Sequence, residues 1–164
     1  MTEENQPESN QSELNQQFAI QKIYLKDVSL ESPYSPQVFT DGEWKPEINV
    51  QINSTNQSLG TDTFEVSLTI TVTAKQGEKT AFLVEVKQAG VFTIAGFSEE
   101  NMAGMIGAYC PETLFPYARE AISDLIAKGG FPQLLLAPVN FNALYAQQMQ
   151  QQDGENTPVA ETTH

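Results

Sequence analysis

The sequence predicts an α+β domain: a four-stranded antiparallel sheet with a crossover connection, followed by two C-terminal helices packed on one face. Two observations predict it. Up to Ile94 the apolar residues recur with the period of two that half-buried strands require, and after Ser98 they recur at helical spacing. Strands that come first and helices that come last leave the helices to cover a sheet formed without them.

Residues 18–31, rich in aromatic and β-branched side chains, read as a long first strand. Ser32-Pro33-Tyr34-Ser35-Pro36 then opens a proline-bearing connection that runs to Trp44 and Pro46. It is too long for a tight hairpin and is expected to cross over. Glu47 to Asn53 alternate cleanly, with Ile48, Val50 and Ile52 on one face. The clearest strand is 63–73, where Phe64, Val66, Leu68, Ile70 and Val72 alternate with threonines, Glu65 and Ser67. Gln76-Gly77-Glu78 supplies a turn, and Phe82, Val84 and Val86 carry the alternation onward to Phe92 and Ile94, which makes a hairpin.

Ser98 is a good N-cap, with Glu99 and Glu100 in the first turn, and Met102, Met105, Ile106 and Tyr109 recur at helical spacing. Pro111 is expected to break or kink this helix and Pro116 to perturb it again, before it ends at Lys128-Gly129-Gly130. An apolar, proline-punctuated linker from Phe131 to Pro138 leads to a last helix. Its cap is Asn140 and its stripe is Phe141, Leu144, Tyr145 and Met149.

The polar residues 1–17 have almost nothing to bury, so ordering them costs entropy without return, and the Gln-rich residues 150–164 are similar. The expected organisation is a disordered acidic arm (1–17), one folded domain (18–149) and a disordered tail (150–164). A chain of 164 residues with 40% hydrophobic composition supports one core of ordinary size.

Eight Lys+Arg against 21 Asp+Glu give a net charge of −13, which disfavours nucleic acid and anionic lipid as partners and keeps exposed apolar surface soluble. No basic start precedes an apolar run, and no apolar run approaches the roughly 18 residues of a membrane span. A cytoplasmic protein that is not itself exported is expected. The single cysteine, Cys110, forms no intrachain disulfide.

Nothing licenses an enzyme. The only histidine is His164, at the end of the tail, so no Ser-His-Asp or Cys-His arrangement can be assembled within one chain. Cys110 has no base near it in sequence and is better explained as a buried thiol. The acidic residues follow no calcium-loop spacing, and no cofactor or metal is expected. Gly104-Met105-Ile106-Gly107 falls inside a helix and is explained by packing rather than phosphate binding. What remains is a surplus of apolar surface: helices on one side of a sheet hide only part of it, and Ile48, Val50, Ile52 and the stretch 131–136 point to a partner or groove.

These residues resemble the SecB protein-export chaperones of proteobacteria. The resemblance is carried by Ile20-Gln21-Lys22-Ile23-Tyr24-Leu25-Lys26-Asp27-Val28-Ser29, Trp44-Lys45-Pro46-Glu47, Thr80-Ala81-Phe82-Leu83, Gly107-Ala108-Tyr109-Cys110-Pro111, Leu114-Phe115-Pro116-Tyr117-Ala118-Arg119-Glu120 and the two runs Phe131-Pro132-Gln133-Leu134 and Ala137-Pro138-Val139-Asn140-Phe141. It spans nearly all of 18–149. The resemblance implies a homotetramer, a dimer of dimers, that holds unfolded precursor proteins without ATP and passes them to the SecA motor. It implies motor docking at Asp27, Glu31, Leu83 and Glu85. It also implies client grooves lined by Val38, Phe39, Trp44, Ile48, Val50, Ile52, Leu134, Leu136, Phe141, Leu144 and Tyr145. Val84, Val86 and Gln88 are assigned to the tetramer contact. Strand parity independently sets Asp27 with Glu31, and Leu83 with Glu85, on shared faces.

The chain departs from the family at Leu135, where a polar residue is usual, and at Met102-Ala103-Gly104-Met105, which lacks a His-Cys pair common there. Two other readings compete. A hot-dog-type acyl-binding enzyme places its long helix within or before the sheet, against the order seen here. A purely structural assembly subunit would assemble without affinity for unfolded chains.

Overall fold

The computed structural model describes residues 15–155. Four strands, β1 (Gln17–Glu31), β2 (Glu47–Gly60), β3 (Thr63–Gln76) and β4 (Lys79–Ala95), form one antiparallel sheet in the order β1-β4-β3-β2. Short turns join β2 to β3 and β3 to β4. Asp62 and Gly77 take the left-handed conformation there, with φ of 57° and 64°, at the cost of little strain for Asp and none for Gly. The segment between β1 and β2 carries the chain from one edge of the sheet to the other, as the crossover expectation required. A single 3-10 turn at Gln37–Phe39 lies within it.

β1 is not a regular strand. Its register against β4 slips between Ile20 and Lys22 and again between Leu25 and Asp27, so two residues are unopposed. Each slip reverses the facing of all that follows. Phe18, Ile20, Ile23, Leu25, Val28 and Leu30 therefore all sit opposite inward-facing positions of β4, although their spacing is not that of one continuous strand.

The helical layer begins with α1 (Glu99–Gly104), whose N-cap Ser98 accepts from Asn101 N–H. One π-helical stretch, Met105–Tyr109, passes without interruption into α2 (Cys110–Lys128). The expected break at Pro111 is not there. Pro111 comes directly after the π-helical stretch, and the wider turn before it gives its ring room within the continuous helix. Pro116 is also accommodated inside α2, on its exposed side. At the C-terminus Gly130 N–H reaches Ala127 O at 3.0 Å and Phe131 N–H reaches Ile126 O at 3.2 Å, with Gly130 at φ 86°. These paired bonds turn the chain back sharply and satisfy two orphan carbonyls.

After the linker, α3 (Phe141–Glu155) is capped by Asn140, whose Oδ1 accepts from Ala143 N–H at 3.0 Å. It runs through residues 150–155, which composition had assigned to the tail; Gln is a good helix former, and the lone Gly154 falls in the final turn. The rest of the expected arm and tail, 1–14 and 156–164, lies outside the described residues.

The core lies between the sheet and α2. Val66, Leu68, Ile70 and Val72 of β3, Phe82, Val84, Val86, Phe92 and Ile94 of β4, and Leu114, Ala118, Ile122 and Ile126 of α2 are fully buried. Gly90 of β4 leaves room for the Phe92 ring; a Cβ there would stand 2.7 Å from it. Cys110 is buried in this layer, and burial pushes its thiol up to about 12, far from a reactive thiolate.

Candidate functional site

The sheet has two unlike faces, and each carries one set of the residues singled out above. On the face away from the helices, the register aligns side chains in rows across all four strands. Glu31, Leu83, Thr73 and Asn49 form one row; Ser29, Glu85, Thr71 and Gln51 the next; Asp27, Lys87, Thr69 and Asn53 a third. Asp27, Glu31, Leu83 and Glu85 thus fall within three consecutive rows on two adjacent strands. The register is unbroken from Asp27 to Glu31, so parity alone keeps the two in phase, and the slip before Asp27 changes only their facing relative to the residues up to Leu25. Thr71 Oγ1 donates to Glu85 Oε2 at 3.0 Å across the strand pair.

The following rows hold a different arrangement. Tyr24 lies opposite Ala89, whose small side chain lets the phenol reach over β4 to Glu65 on β3. Glu65 accepts from the Tyr24 hydroxyl, from Lys26 Nζ at 2.7 Å and from Gln57 Nε2 at 3.1 Å. The bond from Lys26, then that from Tyr24, holds the Glu65 carboxyl down to about 2, while desolvation, with the carboxylate beside it, pushes the Tyr24 phenol up to about 12. Glu65 is therefore a neutralised, buried anion. The exposed carboxylates of the sheet face end where this cluster begins.

On the helix side, coverage is incomplete. α2 packs over β4 and β3, leaving the far edge strand β2 open: Ile48 and Val50 are 37% and 40% exposed although they point the same way as the core. Beside them lies an aromatic group built from distant segments. Phe131 is its hub, with ring centroids 4.8 Å from Phe82, 5.2 Å from Phe39 and 5.5 Å from Trp44. Phe39, on the crossover connection, is 52% exposed. α3 borders the same region. Its Phe141 stacks edge-on to Phe115 at 5.6 Å, and its Tyr145 lies over Gly107, where a Cβ would come within 2.4 Å of the ring.

The structure divides the expected groove residues into three groups. Phe39, Ile48 and Val50 are exposed; Trp44, Ile52, Leu134, Leu144 and Tyr145 are half-buried; Val38, Leu136 and Phe141 are buried and support the others from beneath. Thr71 and Glu65 were missed as supports, and Phe131 was marked only as part of the apolar stretch 131–136, not as the hub of an aromatic group. Phe131 was detectable as a large apolar residue directly after a Gly-Gly helix stop, a position that packs back on the helix it follows. The partners of Glu65 were not, because the slips in β1 hide which residues share its face.

The three residues assigned to the tetramer contact lie on the helix side of β4. Val84 and Val86 are fully buried within the single chain, so neither offers surface to a neighbour in this protomer. The parity that turns Leu83 and Glu85 outward turns them into the core. Gln88, nearly buried, donates to Tyr24 O at 3.0 Å and borders a groove of about 1040 Å³ between β1 and α2. That groove is lined by apolar side chains including Leu25, 52% exposed, and Leu135, 69% exposed, together with the charged Arg119, Glu120, Asp124 and Lys128 of α2.

Among the described residues no group of three or more His, Cys, Asp and Glu side chains could hold a metal ion, and no helix is long and apolar enough to cross a membrane. A family model described as SecB, preprotein translocase subunit SecB, matches residues 11–152. The protein-export protein SecB of Thioalkalivibrio sulfidiphilus is 57% identical, with all of both chains covered. That of Nitrosococcus oceani is 55% identical over 98% of this chain and 96% of its own. Among solved structures, a SecB-like chaperone of Mycobacterium tuberculosis in complex with a peptide from an antitoxin has the same fold, with a TM-score of 0.61 at 16% identity, covering 74% of this chain and 90% of that one. With a family match over most of its length and relatives this similar end to end, the chain belongs to the SecB family.

Proposed function

We propose that this protein is an ATP-independent holding chaperone of the cytoplasm that keeps precursor polypeptides unfolded and delivers them to the SecA motor. Family membership sets it among protein-export proteins rather than enzymes. The observation that carries the reading is the open apolar shelf: Ile48 and Val50 face the core side of the sheet yet remain 37% and 40% exposed. β2 is also an edge strand, so its outer backbone groups lie beside that shelf. An extended chain laid there buries apolar side chains at about 25 cal/mol per Å², whatever their order, and can pair its backbone with the edge. A folded protein presents neither. The net charge of −13 keeps the open shelf soluble and favours clients that carry Lys and Arg.

The motor is proposed to dock on the opposite face, at Asp27, Glu31, Leu83 and Glu85, so client and motor bind without competing for surface. Assembly into a homotetramer lengthens the client path, and linked weak sites on one extended chain raise overall affinity. The groove between β1 and α2, with its exposed Leu25 and Leu135, rather than Val84 and Val86, is proposed to supply the subunit contact.

The test is refolding of a slow-folding precursor with no nucleotide present. Stoichiometric protein should retard it, and unchanged refolding would overturn the chaperone reading. Val50→Asp should relieve the retardation while leaving motor binding intact. Glu85→Lys or Asp27→Ala should do the reverse. Equal loss of both activities in either variant would mean that the fold or assembly had been damaged.

A further inference from the structure

Glu85 sits in the middle row of the proposed docking surface on a strand, where three side-chain torsions leave its carboxylate free to sweep a wide arc. Thr71, directly opposite on β3, removes much of that freedom: its Oγ1 donates to Glu85 Oε2 at 3.0 Å. Among the described residues Oε1 takes no hydrogen bond or ion pair, so the anchored carboxylate keeps one oxygen for an incoming cation. Thr71 itself is half-buried and carries no charge, and the residues before and after it on β3, Ile70 and Val72, belong to the core. Asp27 and Glu31 lie on the outer strand, exposed, and have no such anchor among the described residues.

We infer that Thr71 is a positioning residue of the motor-docking surface, holding the Glu85 carboxylate in the orientation that receives a cationic side chain of the motor beside an apolar contact on Leu83. The inference rests on the docking reading above. It follows from the cost of ordering. A flexible carboxylate that binds a cation loses rotamer freedom at that moment, whereas one already tied to a neighbouring strand has lost it on folding. Thr71 contributes no contact to the motor of its own. A β-branched residue is also what a strand position prefers, which makes the hydroxyl separable from the fold: Val has the same shape and lacks only the donor.

The experiment is calorimetric titration of the full-length protein with purified SecA, using Thr71→Val, Thr71→Ser, Glu85→Ala and the double variant Thr71→Val/Glu85→Ala. Thr71→Val should weaken motor binding about fivefold, the equivalent of one lost hydrogen bond, and Thr71→Ser should restore it. In the Glu85→Ala background Thr71→Val should have no further effect, because its action runs through that carboxylate. Client retardation should be unchanged throughout and the unfolding midpoint should fall by no more than the loss of one cross-strand hydrogen bond, whereas a merely structural role for Thr71 would impair client retardation along with motor binding. Unchanged motor affinity in Thr71→Val, with Glu85→Ala still weakened, would overturn the inference and leave the docking reading standing. An effect of Thr71→Val that persists without Glu85 would overturn it too. Unchanged affinity in Glu85→Ala itself would overturn the docking reading and this inference with it.

Discussion

Glu65 shows how one side chain can be bound to the stability of an entire sheet face. It lies buried on β3 with bonds from Tyr24 and Lys26 of β1 and Gln57 of β2, so three strands meet at one carboxylate. Glu65→Ala should destabilise the protein by about 1–3 kcal/mol, chiefly because the Tyr24 hydroxyl and Lys26 lose an ionised acceptor. The loss should depend on pH. With its carboxyl held at about 2 against an ordinary 4.5, folded Glu65 refuses a proton that the unfolded chain accepts, so its contribution is present above 4.5 and lost as pH falls from there towards 2. The raised Tyr24 phenol acts at the other limit, where stability falls as pH rises from 10 through about 12. Urea midpoints of wild type and Glu65→Ala should therefore differ near neutrality and converge towards pH 2. A gap that stays constant into acid would show that the carboxylate charge is not what matters.

At the scale of elements, α3 is held by few points, and Gly107 is one of them. The π-helical stretch presents this residue to the Tyr145 ring at a distance that leaves no room for a methyl group. Alanine in a helix is ordinarily worth about 1 kcal/mol over glycine, yet Gly107→Ala should loosen α3, seen as faster amide exchange across Phe141–Glu155. Gly104→Ala, one turn earlier with nothing within 4 Å of the added carbon, is the control and should be neutral or stabilising.

Much of this element plan was legible. The alternation of β3 and β4, the caps at Ser98 and Asn140 and the stop at Gly129-Gly130 each carry a local chemical signature. Three features were not. The slips in β1 look like one aromatic-rich strand unless the apolar spacing at Ile20, Ile23, Leu25 and Val28 is followed residue by residue. The second half of β2 bears Ser54, Asn56 and Ser58 towards the helix side, and with Leu59 as its single large apolar residue it leaves no alternation to detect. The continuity of α1 into α2 depends on a π turn that no propensity encodes. Of the candidate site, parity paired Asp27 with Glu31 and Leu83 with Glu85, while the register of β1 against β4 was needed to put the two pairs on one face. The groove residues could not be sorted into exposed and supporting, because that depends on α2 stopping short of β2.

For the whole molecule, two apolar regions among the described residues carry the proposed roles, the shelf on β2 and the groove between β1 and α2. Their proposed roles separate experimentally. If the groove joins subunits, native mass should correspond to four copies of the 18.1 kDa chain, about 72 kDa. Leu25→Asp should lower that mass to a half or a quarter without unfolding the protomer, since Leu25 is exposed within it. Val84→Asp should instead prevent folding, because it puts an unpaired charge into the core. A tetramer that survives Leu25→Asp would remove the groove from the contact.

The order β1-β4-β3-β2 also sets the sequence of events by which the molecule forms. β2, β3 and β4 are linked by short turns and can zip as they leave the ribosome, but β1, synthesised first, pairs with nothing in the sheet until β4 has been made. For that interval a guardian of nascent exports is itself an unfinished chain with a bare strand, in the same condition as the cargo it is proposed to shelter.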